Sequence, residues 1–441
     1  MSGGKVQPPE KPWWKRALLR RPSPVALAAL GVFAVALTAR ILWVSYVESP
    51  FDNVFSDMAG YINRAHQTAY GEGDPFPIFA TLYPPGTHLV YALEMRMVGW
   101  THRDPMLILH CLWGAVVAPC TMLLALRVVP RLRVAVVVGL VAALWYPALS
   151  FSGFFSSEQP YAGAIAVSAW LLVRQIESGK NPVALGIASS VAYLVRPQII
   201  LTLVALSLAG LVILWRRPAA APRLRVGRLV VAGAILTGAV AFGAVRYHAL
   251  SGRWGVISDN SAMTRLWADT DYGSIRSKLG FHFDSPPKME LGERRELQVD
   301  GYLGDPAVLD KARRDAVRSM ALGQRVVRWL GNVRLLFVDN ALWPDSLHAT
   351  DGWRQAGSSG SKSVLLAVLC PLALLGIASC VRRPTVVLVV CTAHVLTMLV
   401  VAAFFFAEAR YRVPYDMFLM LLALAGARVA ARWIVDTPSV P

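Results

Sequence analysis

The chain runs again and again for about 20 residues with scarcely a charge, the length at which an α-helix crosses the hydrocarbon core of a bilayer. "SPVALAALGVFAVALTARILWV" (Ser23 to Val44), "VLLAVLCPLALLGIASCV" (Val364 to Val381) and "TVVLVVCTAHVLTMLVVAAFFF" (Thr385 to Phe406) are examples. Only helices and closed barrels satisfy their backbone inside lipid, and barrel strands alternate polar with apolar residues, which these runs do not. The expected fold class is therefore all-α and polytopic. Composition agrees: 55% of residues are hydrophobic and 16% charged, against about 25% charged in soluble domains.

Ten spans are expected, at 24–46, 106–126, 134–150, 159–173, 182–195, 198–215, 229–249, 363–381, 385–406 and 414–431. The stretch 84–100, "PPGTHLVYALEMRMVGW", is short and carries His88, Glu94 and Arg96, which suits an interfacial or re-entrant helix. Charge decides its place, because one more span there would exchange the sides of every later loop. Without it, the basic tail at 1–23, "RVVPRLR", "RRPAAAPRLRVGR", "VRRP" and "ARVAAR" all fall on one side. By the positive-inside rule that side is cytoplasmic. Both termini are thus expected inside, with 1–23 and 434–441 as cytoplasmic tails. Residues 24–249 form an N-terminal membrane module with an outer loop at 47–105; 250–362 form an extracytoplasmic region, and 363–433 the last spans. "RVVRWLGNVRLLFVDNALW" in the 250–362 region has an amphipathic helical pattern.

The net charge of +17 records this topology and contact with anionic lipid, and no nucleic-acid partner is expected. Cys111, Cys120, Cys370, Cys380 and Cys391 all lie in apolar runs, so they suggest neither a disulfide framework nor a metal site. The eight histidines show no HExxH or paired spacing. The "KPWWKRALLRR" before the first span reads as a retained anchor.

With that topology, distant polar clusters meet on the outer side: Asp57 with Tyr61, "LYPPGTH" (Leu82 to His88), Glu158, "VRPQ" (Val195 to Gln198) and "EARYRVP" (Glu408 to Pro414). Ser56 is a good N-cap and Gly71 a C-cap, while Tyr61, Ala65 and Ala69 repeat along one helical face. Asp57 then falls in the first turn, where the helix dipole favours the carboxylate. It suits a proton acceptor or a cation ligand; taken alone it reads more simply as an exposed helix-start acid. Arg196, Arg410 and Arg412 sit beside outer span ends. Each has a snorkelling alternative, yet three arginines on one side suit a bound anion, since guanidinium forks match phosphate. Tyr83, Pro84 and Pro85 form a rigid turn, and Glu158 stands at a span entrance where a solvated acid and a buried site residue are equally open.

The order of "SDMAGYINRA", "YPPG", "FFSSEQP", "YLVRPQ" and "RYRVP" resembles the GT-C membrane glycosyltransferases, and more narrowly glycosyltransferase family 39, the protein mannosyltransferase and aminoarabinose transferase group. "GAVRYHALSGRWGVISDNSAMTRLWADT" (Gly243 to Thr270) adds Arg246, Tyr247 and Asn260 as matches. The resemblance implies inverting transfer of a sugar from a polyprenyl-phosphate donor to a protein, lipid or glycan acceptor at the outer face of the cytoplasmic membrane. Asp57 matches that group's proposed base. Tyr61, Tyr83, Pro84, Pro85, Glu158, Arg196, Arg246, Asn260, Glu408, Arg410, Tyr411 and Arg412 are expected around the substrates. Met58 replaces a second acid found in many members, which disfavours a bound divalent metal, and no other cofactor is expected. Tyr83 stands where some members carry lysine, leaving the phosphate to the arginines. A transporter or flippase for a lipid-linked anion, and a non-catalytic lipid-binding scaffold of GT-C type, remain the alternatives.

Overall fold

The computed structural model describes residues 23–54, 56–71, 81–216, 226–269, 306–338, 351–405 and 407–436. The basic tail 1–22, most of the expected "RRPAAAPRLRVGR" loop and residues 270–305 and 339–350 of the expected outer region lie outside the described residues. The described residues contain helices and no strands. In chain order they are α1 (Pro24–Tyr46), α2 (Ser56–Tyr70), α3 (Gly86–Val98), α4 (Arg103–Ala115), α5 (Val117–Val128), α6 (Leu132–Ala143) and α7 (Tyr146–Ser150). Next come α8 (Glu158–Ser178), α9 (Pro182–Val195), α10 (Ile199–Arg216), α11 (Val226–Ser251), α12 (Asn260–Asp269), α13 (Pro306–Arg318) and α14 (Leu322–Val338). The chain closes with α15 (Gly352–Val364), α16 (Cys370–Arg382), α17 (Val386–Phe404), α18 (Ala409–Arg412) and α19 (Asp416–Asp436).

Every run expected to span is helical. Among the described residues, six helices are long and apolar enough to cross a membrane: Pro24–Tyr46, Arg103–Val128, Arg228–Ser251, Gly352–Arg382, Val386–Phe404 and Ala409–Arg432. The pair Leu132–Ala143 and Tyr146–Gly153, bent by 49°, makes a seventh if counted as one span. The helices Pro182–Val195 and Ile199–Val212 are apolar but shorter. α3, with 13 residues, is about 20 Å long and falls short of the roughly 30 Å core. Its His88 and Glu94 are buried, with Trp113 Nε1 donating to Glu94 Oε1 at 2.8 Å.

Small residues let the helices approach closely, as membrane interfaces require in the absence of a hydrophobic force between helices. A Cβ on Gly376 would lie 2.1 Å from the Leu422 carbonyl oxygen, and one on Gly426 would lie 1.9 Å from that of Leu372. These two contacts fasten α16 to α19. The break between α4 and α5 at Val116 falls where Pro119 leaves the Ala115 carbonyl without its helical donor. Between α8 and α9 the hydroxyls of Ser168 and Ser189 bond at 2.7 Å, satisfying polar groups that lipid cannot.

One close approach positions the site directly. Pro84 and Pro85 block helix until Gly86, and Pro85 takes the capping position of α3. A Cβ on Gly86 would lie 2.3 Å from the backbone of Leu194 and Val195. The start of α3 thus rests on the last turn of α9, immediately before Arg196. "YPPG" therefore has a packing reason: the prolines aim the chain, and the glycine lets it touch.

Candidate active site

At one end of the bundle α2, the turn at 83–84, the α9–α10 junction, α12 and the 401–411 segment enclose a cavity of about 400 Å³. Asp57, Tyr61, Tyr83, Pro84, Arg196, Asn260, Arg410 and Tyr411 line it. These eight positions come from five separated stretches of sequence; four of the five expected clusters meet here, and Asn260 lines the cavity where Glu158 does not.

α2 presents Asp57 in its first turn, and the side chain of Ser56 lies outside the described part. The helix ends as expected at Gly71, whose φ of +77° belongs to the left-handed region that favours glycine. The Tyr61, Ala65 and Ala69 face is buried against α3. Asp57 is engaged at both oxygens. Tyr83 donates its phenol hydrogen to Oδ1 at 2.6 Å, and Arg410 Nη1 donates to Oδ2 at 3.1 Å. Burial, reinforced by the Asp57 charge, pushes both Tyr61 and Tyr83 above the ordinary phenol range. Tyr83 therefore remains a donor.

The arginines are anchored rather than snorkelling. Arg196, extended at the end of α9, forms an ion pair with Glu158 and donates to Ser157 Oγ at 2.7 Å. Glu158, the first residue of α8, is buried behind Arg196. It supports the cavity wall without lining it. Arg410 pairs with Glu408 Oε2 at 2.6 Å and donates to the Tyr411 hydroxyl at 3.2 Å. The Tyr411 ring lies 5.1 Å from the Arg196 guanidinium and 5.0 Å from that of Arg410, so one aromatic face serves two cations. Burial raises Glu408 above the usual carboxylate range.

Asn260 opens α12 and is carried by a tied loop. The Asp259 N–H donates to the Thr81 carbonyl at 2.9 Å, and Tyr247 donates to Asp259 Oδ1 at 2.5 Å. Ile200 and Leu201 of α10 with Val401 and Phe405 supply an apolar part of the lining.

Five expected site residues do not line the cavity: Glu158 and Glu408 pair with arginines that do, and Pro85, Arg246 and Arg412 stand elsewhere. Pro85 caps α3. Arg246 is half-buried on α11 outside the cavity; burial lowers His88, and the charges of Arg64 and Arg246 add to that effect. Arg412, two residues from Arg410, turns away: it donates to Asp416 Oδ1 at 2.8 Å and to the Leu336 carbonyl at 2.9 Å. That pair is sealed in the bundle, which explains why Arg412 faces neither headgroups nor the cavity.

The structure also brings in residues that lie inside the quoted motifs but were not singled out there. Arg64 stands 5.0 Å from the Tyr83 ring and 5.6 Å from that of Tyr61, behind the two phenols. Its i,i+3 spacing from Tyr61 was the available signal. Ser157 and Gln198 line the cavity, and Gln198 donates to the Tyr415 hydroxyl at 2.7 Å. Among the described residues no three metal-ligating side chains gather, and both Asp57 oxygens already carry protein donors. These residues do not fit a resident divalent ion.

Helices long and apolar enough to cross a membrane, with a charged cavity at one end of the bundle, define a multi-pass membrane protein. Its fold is shared with a solved archaeal oligosaccharyltransferase. No protein-family model matches the sequence, nor does any curated protein. Among solved structures, the apo oligosaccharyltransferase of Archaeoglobus fulgidus matches with a TM-score of 0.50 at 14% identity, over 92% of this chain and 51% of that one. The same enzyme, tethered through a disulfide to an acceptor peptide containing the NVT sequon, gives 0.51 at 14% identity, over 92% and 50%. ArnT from Cupriavidus metallidurans bound to undecaprenyl phosphate gives 0.36 at 18% identity, over 98% and 82%. The chain spans about half the length of the archaeal enzyme it matches.

Proposed function

We propose that this protein transfers a sugar from a polyprenyl-phosphate carrier to an acceptor hydroxyl or amine at the outer face of the cytoplasmic membrane. The observation that carries this reading is the cavity itself: a carboxylate, two anchored arginines and an apolar wall share one space of about 400 Å³. The fold shared with an oligosaccharyltransferase supports it. Asp57 takes the acceptor proton as general base, which requires an approach of about 3 Å. The acceptor oxygen or nitrogen bonds to the anomeric carbon from the face opposite the carrier, and the bond from that carbon to the phosphate oxygen breaks. Configuration inverts, and polyprenyl phosphate departs with the electron pair. Arg196 and Arg410 stabilise the charge that grows on the leaving phosphate, while the isoprenoid tail runs along Ile200, Leu201, Val401 and Phe405.

The decisive experiment is Asp57→Asn in membranes, with a lipid or glycan product followed that disappears on deletion of the gene. The variant is expected to abolish formation of that product while leaving expression and polyprenyl-phosphate binding nearly intact. Retained turnover would remove Asp57 from the role of base.

A further inference from the structure

In the resting structure both oxygens of Asp57 already accept a hydrogen bond. Tyr83 donates to Oδ1 at 2.6 Å and Arg410 to Oδ2 at 3.1 Å. An acceptor hydroxyl that approaches Oδ2 must share it with a cationic donor. The two contacts differ in how readily they break. Both residues line the cavity, but the Tyr83 ring packs on that of Tyr61, with centroids 5.2 Å apart, and on Arg64, 5.0 Å from its centroid. Arg410 is shared among Asp57, Glu408 and Tyr411. A phosphate entering beside Arg196 offers that guanidinium two oxygens in fork geometry, a better partner than one carboxylate oxygen.

We propose that Arg410 latches Asp57 in the resting protein and that a phosphate headgroup releases it, while Tyr83 stays in place as a positioning residue that keeps the freed Oδ2 turned to the cavity. This deepens the reading of Asp57 as base and rests on it. Its consequence is an ordered reaction: the donor binds first, and only then does the base open to an acceptor. The latch prevents Asp57 from engaging an acceptor when there is no sugar to transfer.

The test uses the full-length protein in nanodiscs with undecaprenyl monophosphate as probe and inorganic phosphate as control, binding being measured by native mass spectrometry. A hydrophobic carbodiimide, which modifies the carboxyl groups it can reach, reports on Asp57 through the mass of its peptide. Saturating undecaprenyl phosphate should raise labelling of Asp57 about tenfold, the scale of one charge-assisted hydrogen bond removed from Oδ2. Arg410→Gln should label as fast without any phosphate. Tyr83→Phe, which keeps the ring contacts, should still bind the probe and still respond to it, from a higher starting rate. If the probe saturates without changing labelling, the latch is wrong and the assignment of the phosphate site stands. If the probe fails to bind, the donor reading falls instead. Slow labelling of a folded Arg410→Gln would also overturn the latch; should that variant not fold, the unmodified protein with and without probe decides.

Discussion

Asp57 and Asp416 are held in the same way. Each carboxylate accepts one hydrogen bond from an aromatic side chain and one from an arginine of the Arg410–Arg412 turn: Tyr83 and Arg410 for Asp57, Trp145 and Arg412 for Asp416. The surroundings differ. The Asp57 and Arg410 side chains are 19% and 12% exposed and face the large cavity, whereas Asp416 and Arg412 are 2% and 5% exposed. Asp416 borders only a space of about 20 Å³, room for about one water. One arrangement of charge thus does two jobs, and access decides which. Where a ligand can enter, the pair is exchangeable; where none can, it fastens α14 and α18 to the last span.

Asp57→Asn and Arg412→Met should break this comparison in opposite directions. The first is expected to cost about 10²–10⁴ in turnover, the scale of a general base, with the melting temperature in detergent unchanged. The second leaves Asp416 buried without its cation and is expected to cost about 3–5 kcal/mol of stability. The drop should appear as a lower melting temperature, while protein that remains folded still binds polyprenyl phosphate. If Arg412→Met lost binding at unchanged stability, the two pairs would not be distinct.

Gly86→Ala sharpens the cavity side. Its new methyl would meet the Leu194–Val195 backbone, and overpacking of this kind costs about 1–3 kcal/mol. Displacement of Arg196 should weaken probe binding about tenfold, more than Gly426→Ala, which strains α16 against α19 far from the headgroup. Equal losses in both variants would show that Gly86 has no special link to Arg196.

A last test concerns Glu94, outside both pairs. Burial pushes it from 4.5 up to about 8, partly opposed by the hydrogen bond from Trp113. The folded state therefore binds a proton that the unfolded state has already lost, and stability falls as pH rises from about 4.5 to about 8. Glu94→Gln should flatten that slope of melting temperature against pH. A slope unchanged by the substitution would place its cause elsewhere.

Much of the fold was legible because lipid imposes a simple demand: a run long enough to cross must be apolar and helical, and the expected runs are helical, although 134–150 is broken into two helices bent by 49°. Asp57, Arg196 and Arg410 were legible as charges beside span ends on one side. Arg412 could not be told from Arg410, because the direction of each side chain depends on a single turn and on which helix packs against it. Arg64 carried no signal beyond its spacing, since its place is set by the rings of Tyr61 and Tyr83. Arg40 shows the same limit inside a span. It is completely buried and donates to the Ala36 and Ala143 carbonyls, both at 3.1 Å, an arrangement that depends on α6 arriving beside α1.

The cavity's two walls share the α9–α10 junction and the 401–411 segment but use different side chains of them. The charged wall is cross-braced: Gly86 against α9, Asp259 against Thr81, Glu158 behind Arg196. The apolar wall consists of Ile200, Leu201, Val401 and Phe405, whose side chains owe nothing to those braces. Over evolutionary time this division leaves the two free to change separately. If the proposed donor is the ligand, substitution at four hydrophobic positions changes the fit of its tail while the headgroup contacts stay intact.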